Sequence, residues 1–219
     1  MPLVLVAHGT RDPAGTDTVY ALAELVAERL PEVAVRVAFA DVRQPDVTAA
    51  LRGGPAIVVP AFLATGYHVR VDIPARVRAS QVDVVVTPPL GADLVPVALH
   101  RLRQAGWRPG DPVALAAAGS ADPRALADVR AAADRLAVHT GPVAVGYVAT
   151  CRPALADVVT SRTVVASWLL APGLFHRRAT ESGAAAVAAP LGAHPDVAEL
   201  VVTRYQNAKM PVTQGNRQP

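Results

Sequence analysis

Apolar residues fall along this chain in two alternating rhythms. Short runs rich in valine, PLVLVAH (2–8), VAVRVAFA (33–40), PAIVVPAF (55–62) and VDVVVTP (82–88), have the length and β-branching of buried strands. Longer segments separate them, at 15–30, 45–53 and 68–80, and another at 91–107 follows the fourth run. The first and last of these space their apolar residues at the helical period. Apolar strands alternating with amphipathic helices predict a doubly wound parallel α/β sheet.

The pattern then repeats. Four further strand runs are predicted at 113–119, 142–149, 163–170 and 184–190. Landmarks match in order: LVAHGTRDP (5–13) with LAAAGSADP (115–123), Pro45 with Pro153, and PPLGADLV (88–95) with APLGAHPD (189–196). The spacing between copies falls from 110 to 108 to 101, so the second copy is shorter. The expected architecture is two tandem doubly wound parallel-sheet α/β domains related by internal duplication. The boundary falls at the Gly/Pro cluster GWRPGDP (106–112), dividing the chain into halves at 1–108 and 109–207. Each half is close to the minimum size for an α/β layer, so the two are expected to pack face to face. The polar stretch 208–219 has no periodicity and reads as a disordered tail.

Composition narrows the class. The 219 residues are 52% hydrophobic, 18% charged and only 4% aromatic, which asks for a core of Val, Leu and Ala. The formal charge is +3, carried by Arg with a single Lys, Lys209, and there is no basic run of the nucleic-acid-binding kind. One cysteine, Cys151, excludes an intrachain disulfide framework. The N-terminus enters the first strand at once, without a signal-peptide pattern, and no apolar run reaches membrane-spanning length. A cytoplasmic protein without membrane or nucleic-acid partners, monomeric or homodimeric, is expected.

Ligands of open α/β sheets bind beyond the carboxyl ends of the strands. Three polar residues of the first half fall there: His8 after the first strand, Asp41 after the second, and His68 after the third and its ATGY loop. Two imidazoles and a carboxylate suit a borderline divalent ion such as Fe, Co, Ni or Zn, and a neutral imidazole is also a base. Gly9 and Gly66 are expected to leave room for a bulky ligand. In the second copy Ala118 stands where His8 stood. His176 follows a loop like that of His68 but lacks this partner. His100 and His139 are expected at the surface, within and just past a helix, His194 at a helix start, and Cys151 as an unreactive thiol.

At LVAHGTRDP and AFLATGYHVRVDIP the sequence resembles the class II chelatases of the CbiX/SirB type, and PPLGAD adds to the resemblance. These enzymes insert a divalent metal into sirohydrochlorin on the way to sirohaem or cobalamin. The resemblance spans roughly residues 3–206. It implies a chelatase-like fold and a lyase whose metal is held by His8 and His68 at the mouth of a cleft between the halves. Asp41 would assist, with a side chain shorter than the Glu often found there. The substrate is a polycarboxylate macrocycle, so Arg11, Arg70 and, less strongly, Arg43 are candidate partners for its carboxylates. A histidine would take a pyrrole proton as the metal enters. The metal is the substrate, Fe2+ or Co2+, with Ni2+ as a further candidate. No nucleotide is expected, since the chain has no phosphate-binding P-loop motif.

Two other readings remain at this level. The same residues would serve a non-catalytic metal or tetrapyrrole carrier. HGTR also has a faint likeness to the Arg-His-Gly stretch of histidine phosphatases, but Ala7 replaces the arginine that would grip phosphate.

Overall fold

The computed structural model describes residues 1–149 and 151–209. The first half runs β1 (Leu3–Ala7), α1 (Pro13–Arg29), β2 (Val35–Phe39), α2 (Val47–Leu51), β3 (Ala56–Pro60), α3 (Ile73–Ser80), β4 (Val84–Val86) and α4 (Val95–Gln104). The second runs β5 (Val113–Ala117), α5 (Pro123–Thr140), β6 (Val143–Tyr147), α6 (Leu155–Val158), β7 (Val164–Trp168), α7 (Leu174–Thr180), β8 (Ala186–Val187) and α8 (Pro195–Lys209). All eight expected strands are present, although β8 keeps only two residues of its expected span.

Both sheets are parallel, in the orders β2-β1-β3-β4 and β6-β5-β7-β8. Leu3 lies level with Val35 and Ile57, and Val113 with Val143 and Val164. The bridge Phe39–Asp46 recurs as Tyr147–Ala154. The fold is therefore built twice, down to single backbone contacts.

Helices α1 and α5 begin alike. Asp12 and Asp122 cap them by accepting the N–H of Ala14 and Arg124, and Pro13 and Pro123 take the first helical position, where a missing N–H costs nothing. Val19, Leu22, Ala23 and Val26 line the buried face of α1 at helical spacing.

Alternation along the strands divides the core. Leu3, Leu5, Ala7, Ile57 and Val59 share one cluster with Val113, Leu115, Ala117, Ala166 and Trp168 of the other sheet. Val4, Val6 and Val58 point the other way, onto Val47, Leu51 and Ile73. The sheets thus turn their inner faces toward a common core.

The helices that cover those faces are exchanged. Helix α4 follows the first sheet in sequence but packs on β7, beside α5, and α8 follows the second sheet but packs on β3, beside α1. Arg101 of α4 donates to the Leu191 carbonyl, and Arg204 of α8 donates to Asp93 and the Pro89 carbonyl. Divisions at 1–108 and 109–207 therefore do not mark separate cores, because each half takes its final helix from the other. Ala208 and Lys209, expected in a disordered tail, are the last residues of α8; the remainder of that expectation lies outside the described residues. No helix among the described residues is long and apolar enough to cross a membrane.

Candidate functional site

His8 follows β1 directly, at the carboxyl edge of the sheet. Asp41 follows β2 across the same edge, and its backbone N–H donates to the His8 carbonyl at 2.9 Å. The chain beyond β3 returns through residues 61–67 to His68, which opens a single π-helical turn, His68–Asp72, ahead of α3. π-turns are uncommon and concentrate at functional positions.

The two imidazoles meet. Their centroids are 4.7 Å apart and the rings are nearly perpendicular, with Phe62 6.3 and 6.1 Å from His8 and His68. What each ring bonds to decides which nitrogen is bare. His8 Nδ1 lies 3.2 Å from the Gly9 carbonyl, and His68 Nδ1 lies 3.0 Å from a carboxylate oxygen of Asp72. Both partners only accept, so in the neutral rings both Nδ1 atoms carry the hydrogen and both Nε2 lone pairs are free. That is the state a metal ligand needs.

Asp72 is held in turn. Its other oxygen accepts from Arg76 Nε at 2.8 Å, and Arg76 also reaches Asp46 at 3.3 Å and the Ala40 carbonyl at 3.4 Å. Burial alone would raise the Asp72 carboxyl pKa; hydrogen bonds and charge from Arg76 and then His68 outweigh it and hold the group below its ordinary range. His8 has its pKa lowered below the ordinary 6.5, first by burial, which disfavours the charged ring, and then by His68; the Gly9 carbonyl and Asp41 oppose this. His8 remains exposed as a residue, so the desolvation is partial. At neutral pH the His8 ring is uncharged.

No other histidine shares this arrangement. His100 and His194 also stack, at 5.2 Å, but His194 Nδ1 accepts the Asp196 N–H, so the hydrogen sits on Nε2. His194 caps the start of α8, as expected. His139 lies inside the last turn of α5 rather than past it, on the surface. His176 lies nine residues beyond Ser167, whereas His68 lies eight beyond Pro60, the level strand position. Register thus puts Phe175 opposite His68, and His176 turns back to Ser167 at 3.2 Å.

The CbiX family model matches this chain twice, over residues 2–105 and 112–208. The chain belongs to the CbiX family. Among curated relatives, the sirohydrochlorin cobaltochelatase of Methanosarcina acetivorans is 28% identical over 109 residues, covering 42% of this chain and 84% of the relative. That of Methanopyrus kandleri is 37% identical over 78 residues, covering 33% of this chain and 54% of the relative. Among solved structures, SirB from Bacillus subtilis with Fe3+ superposes with a TM-score of 0.75 at 22% identity, covering 95% of this chain and 96% of that one. CbiX, described as the terminal enzyme of sirohaem biosynthesis in denitrifying bacteria, gives 0.75 at 26% identity, covering 96% and 100%. The class II chelatase fold, with two similar halves, is thereby established.

Other expected CbiX site residues sit differently. Asp41 does not complete a ligand trio: among the described residues no group of three or more His, Cys, Asp or Glu side chains could hold a metal. Its carboxylate turns to the N–H of Val42 at 2.8 Å, beside a polar hollow of about 280 Å³ shared with Arg43, Asp46 and Arg76. Val42 stands at φ +52°, an uncommon conformation for a β-branched residue. Arg43 clamps this bend to the first loop, donating to the Thr10 carbonyl at 2.7 Å and the Arg11 carbonyl at 3.0 Å. It is a backbone staple rather than a free partner for carboxylates. Cys151 fills the equivalent place in the second half, donating to the Ser120 carbonyl at 3.1 Å.

Arg70 reaches Asp122 of the second half, 3.4 Å away, and Arg11 is exposed. Gly9 is explained by the chain itself. It has φ +98°, and a Cβ there would lie 2.1 Å from the Asp41 carbonyl oxygen. Gly66 has more freedom: a Cβ there would lie 3.7 Å from Ser120 Oγ and 3.8 Å from Ala125 Cβ, ordinary contact distances. Asp72 was the residue that pattern reading missed. Its position four after His68 is the spacing that lets side chains meet on a helical turn.

Proposed function

We propose that this protein inserts a divalent metal into sirohydrochlorin, as an ATP-independent chelatase of sirohaem or cobalamin biosynthesis. The observation that carries the reading is the pair of bare Nε2 atoms, on His8 and His68, with no third protein ligand assembled around them among the described residues. Metal sites that keep an ion permanently are closed by four protein ligands. Two neutral imidazoles hold an ion and leave most of its coordination sphere to water and to incoming pyrrole nitrogens. Such a site delivers a metal rather than storing it.

The residues divide the work accordingly. Asp72 orients His68 and keeps its lone pair outward. His8, uncharged at neutral pH, either ligates the metal or takes a pyrrole proton as the ion enters the ring. Arg11, which is exposed, is available to a substrate carboxylate, and Arg70 becomes available by leaving Asp122. A fork of this kind suits a carboxylate. The relatives named above include cobaltochelatases and a structure with Fe3+, and both ions suit imidazole. We favour Fe2+ with Co2+ close behind.

The test is anaerobic absorbance of sirohydrochlorin with catalytic protein and Fe2+, Co2+ or Ni2+. Spectral conversion over many turnovers, lost in His8→Ala and His68→Ala while both variants stay folded, is the expected result. Conversion that stops at one equivalent would make the protein a carrier. Normal turnover by both variants would overturn the site.

A further inference from the structure

We propose that Asp128, in the half that has no metal-binding histidine, is a positioning residue for His68. The inference rests on reading His8 and His68 as the metal site. Residues 61–66 belong to no regular element, so their path depends on what they are tied to. The first of them are held by their own half, where Ala61 donates to the Val6 carbonyl and Gly91 donates to the Phe62 carbonyl; the tie nearest His68 comes from the second half. Asp128 of α5 accepts the Thr65 backbone N–H at 2.7 Å, a charge-assisted bond placed three residues before His68. Two residues after His68, Arg70 donates to Asp122 of the same half. Gly66, between them, packs on Ser120 and Ala125. The second half thus grips the His68 segment on both sides of the ligand.

The duplication separates what belongs to the fold from what belongs to the site. The arginine contact is symmetric: Arg70 pairs with Asp122, and Arg177 pairs with Asp12, its counterpart in the other half. Both halves would need this contact to hold the cleft together. The Asp128 contact is not symmetric. The position matching Asp128 is Thr18, by the same spacing of 110 that relates Asp12 to Asp122. Thr18 donates to the Ala14 carbonyl of its own helix at 2.7 Å. The carboxylate therefore stands on the side that holds the His68 segment, while its counterpart bonds only within its own helix. A half that has Ala118 instead of a ligand contributes a tether to the half that kept its histidines.

The experiment uses the full chain and the variants Asp128→Ala and Asp128→Asn. Hydrogen exchange over residues 61–72 reads the tether, and Co2+ titration followed by its visible absorption reads the ligand. We expect about tenfold faster exchange in that segment of Asp128→Ala, with the strands unchanged, and about tenfold weaker Co2+ binding, at the low end of effects outside the ligand shell. Asn retains an oxygen for the Thr65 N–H and should restore most of both. Unchanged exchange over 61–72 in Asp128→Ala would overturn the proposal. Faster exchange with unchanged Co2+ affinity would overturn it as well, leaving Asp128 a structural contact. A Co2+ spectrum insensitive to His8→Ala would instead sink the metal site itself, a separate failure.

Discussion

Removing the Asp72 carboxylate should disable the site while sparing the fold. Its oxygens accept from His68 at 3.0 Å and Arg76 at 2.8 Å, and the His68 and Asp72 side chains are 24% and 16% exposed. Solvent screening is therefore modest. A hydrogen bond to a charged group contributes about 1.5–3 kcal/mol. At about 1.4 kcal/mol per decade, its loss lowers metal affinity by roughly 10- to 100-fold. Arg76 keeps Asp46 and the Ala40 carbonyl, so the cost to folding is limited to about 1–2 kcal/mol. Asp72→Asn should do no better than Asp72→Ala. An amide has one oxygen for two donors; if Arg76 takes it, the NH2 faces His68 Nδ1 and drives the ring hydrogen to Nε2, closing the ligand position. Co2+ titration measures the affinity, and 15N spectra of the His68 ring report the tautomer. Wild-type Co2+ affinity in Asp72→Asn, with the hydrogen still on Nδ1, would refute the argument.

Further expectations concern the glycines, acidity and the cleft. Gly9→Ala should cost about 2 kcal/mol or more, from left-handed strain and the Asp41 carbonyl clash, while Gly66→Ala should shift stability by no more than about 0.5 kcal/mol; urea midpoints distinguish them. Stability should fall on acidification. His8, His176 and His194 all have lowered pKa values, so below 6.5 the unfolded chain binds more protons than the folded one; Asp72, also lowered, adds to this below 3.8. Urea unfolding between about pH 4 and 7 checks the sign, and greater stability at the acid end would contradict it. Arg70→Ala should raise the KM for sirohydrochlorin in the chelatase assay, with Co2+ affinity of the free protein reduced less than in Asp128→Ala.

Much of this molecule was legible locally. Strand runs rich in Val, Leu and Ala need no tertiary information, and all eight are present, the four inner ones, β1, β3, β5 and β7, buried throughout. The positions of His8 and His68 followed from a rule about strand ends, and the duplication from matched landmarks. Asp72 was also within reach, four residues from His68. Local pattern fell short where a side chain had two possible partners. Arg43 resembles a free surface cation in sequence, but folding brings the Thr10 and Arg11 carbonyls to it. Asp41 resembles a ligand, but the Val42 bend turns its carboxylate to its own backbone.

The sequence by itself determined the elements, their order, the duplication and the histidine pair, because periodicity and strand-end placement are short-range properties of the chain. Only the tertiary structure decided that α4 and α8 change places, that Asp128 holds Thr65 across 63 residues, and that Arg70 and Arg177 reach acids 52 and 165 residues away. Any exposed Asp or Arg offers the same charge; which pairs meet depends on how two sheets pack against one core.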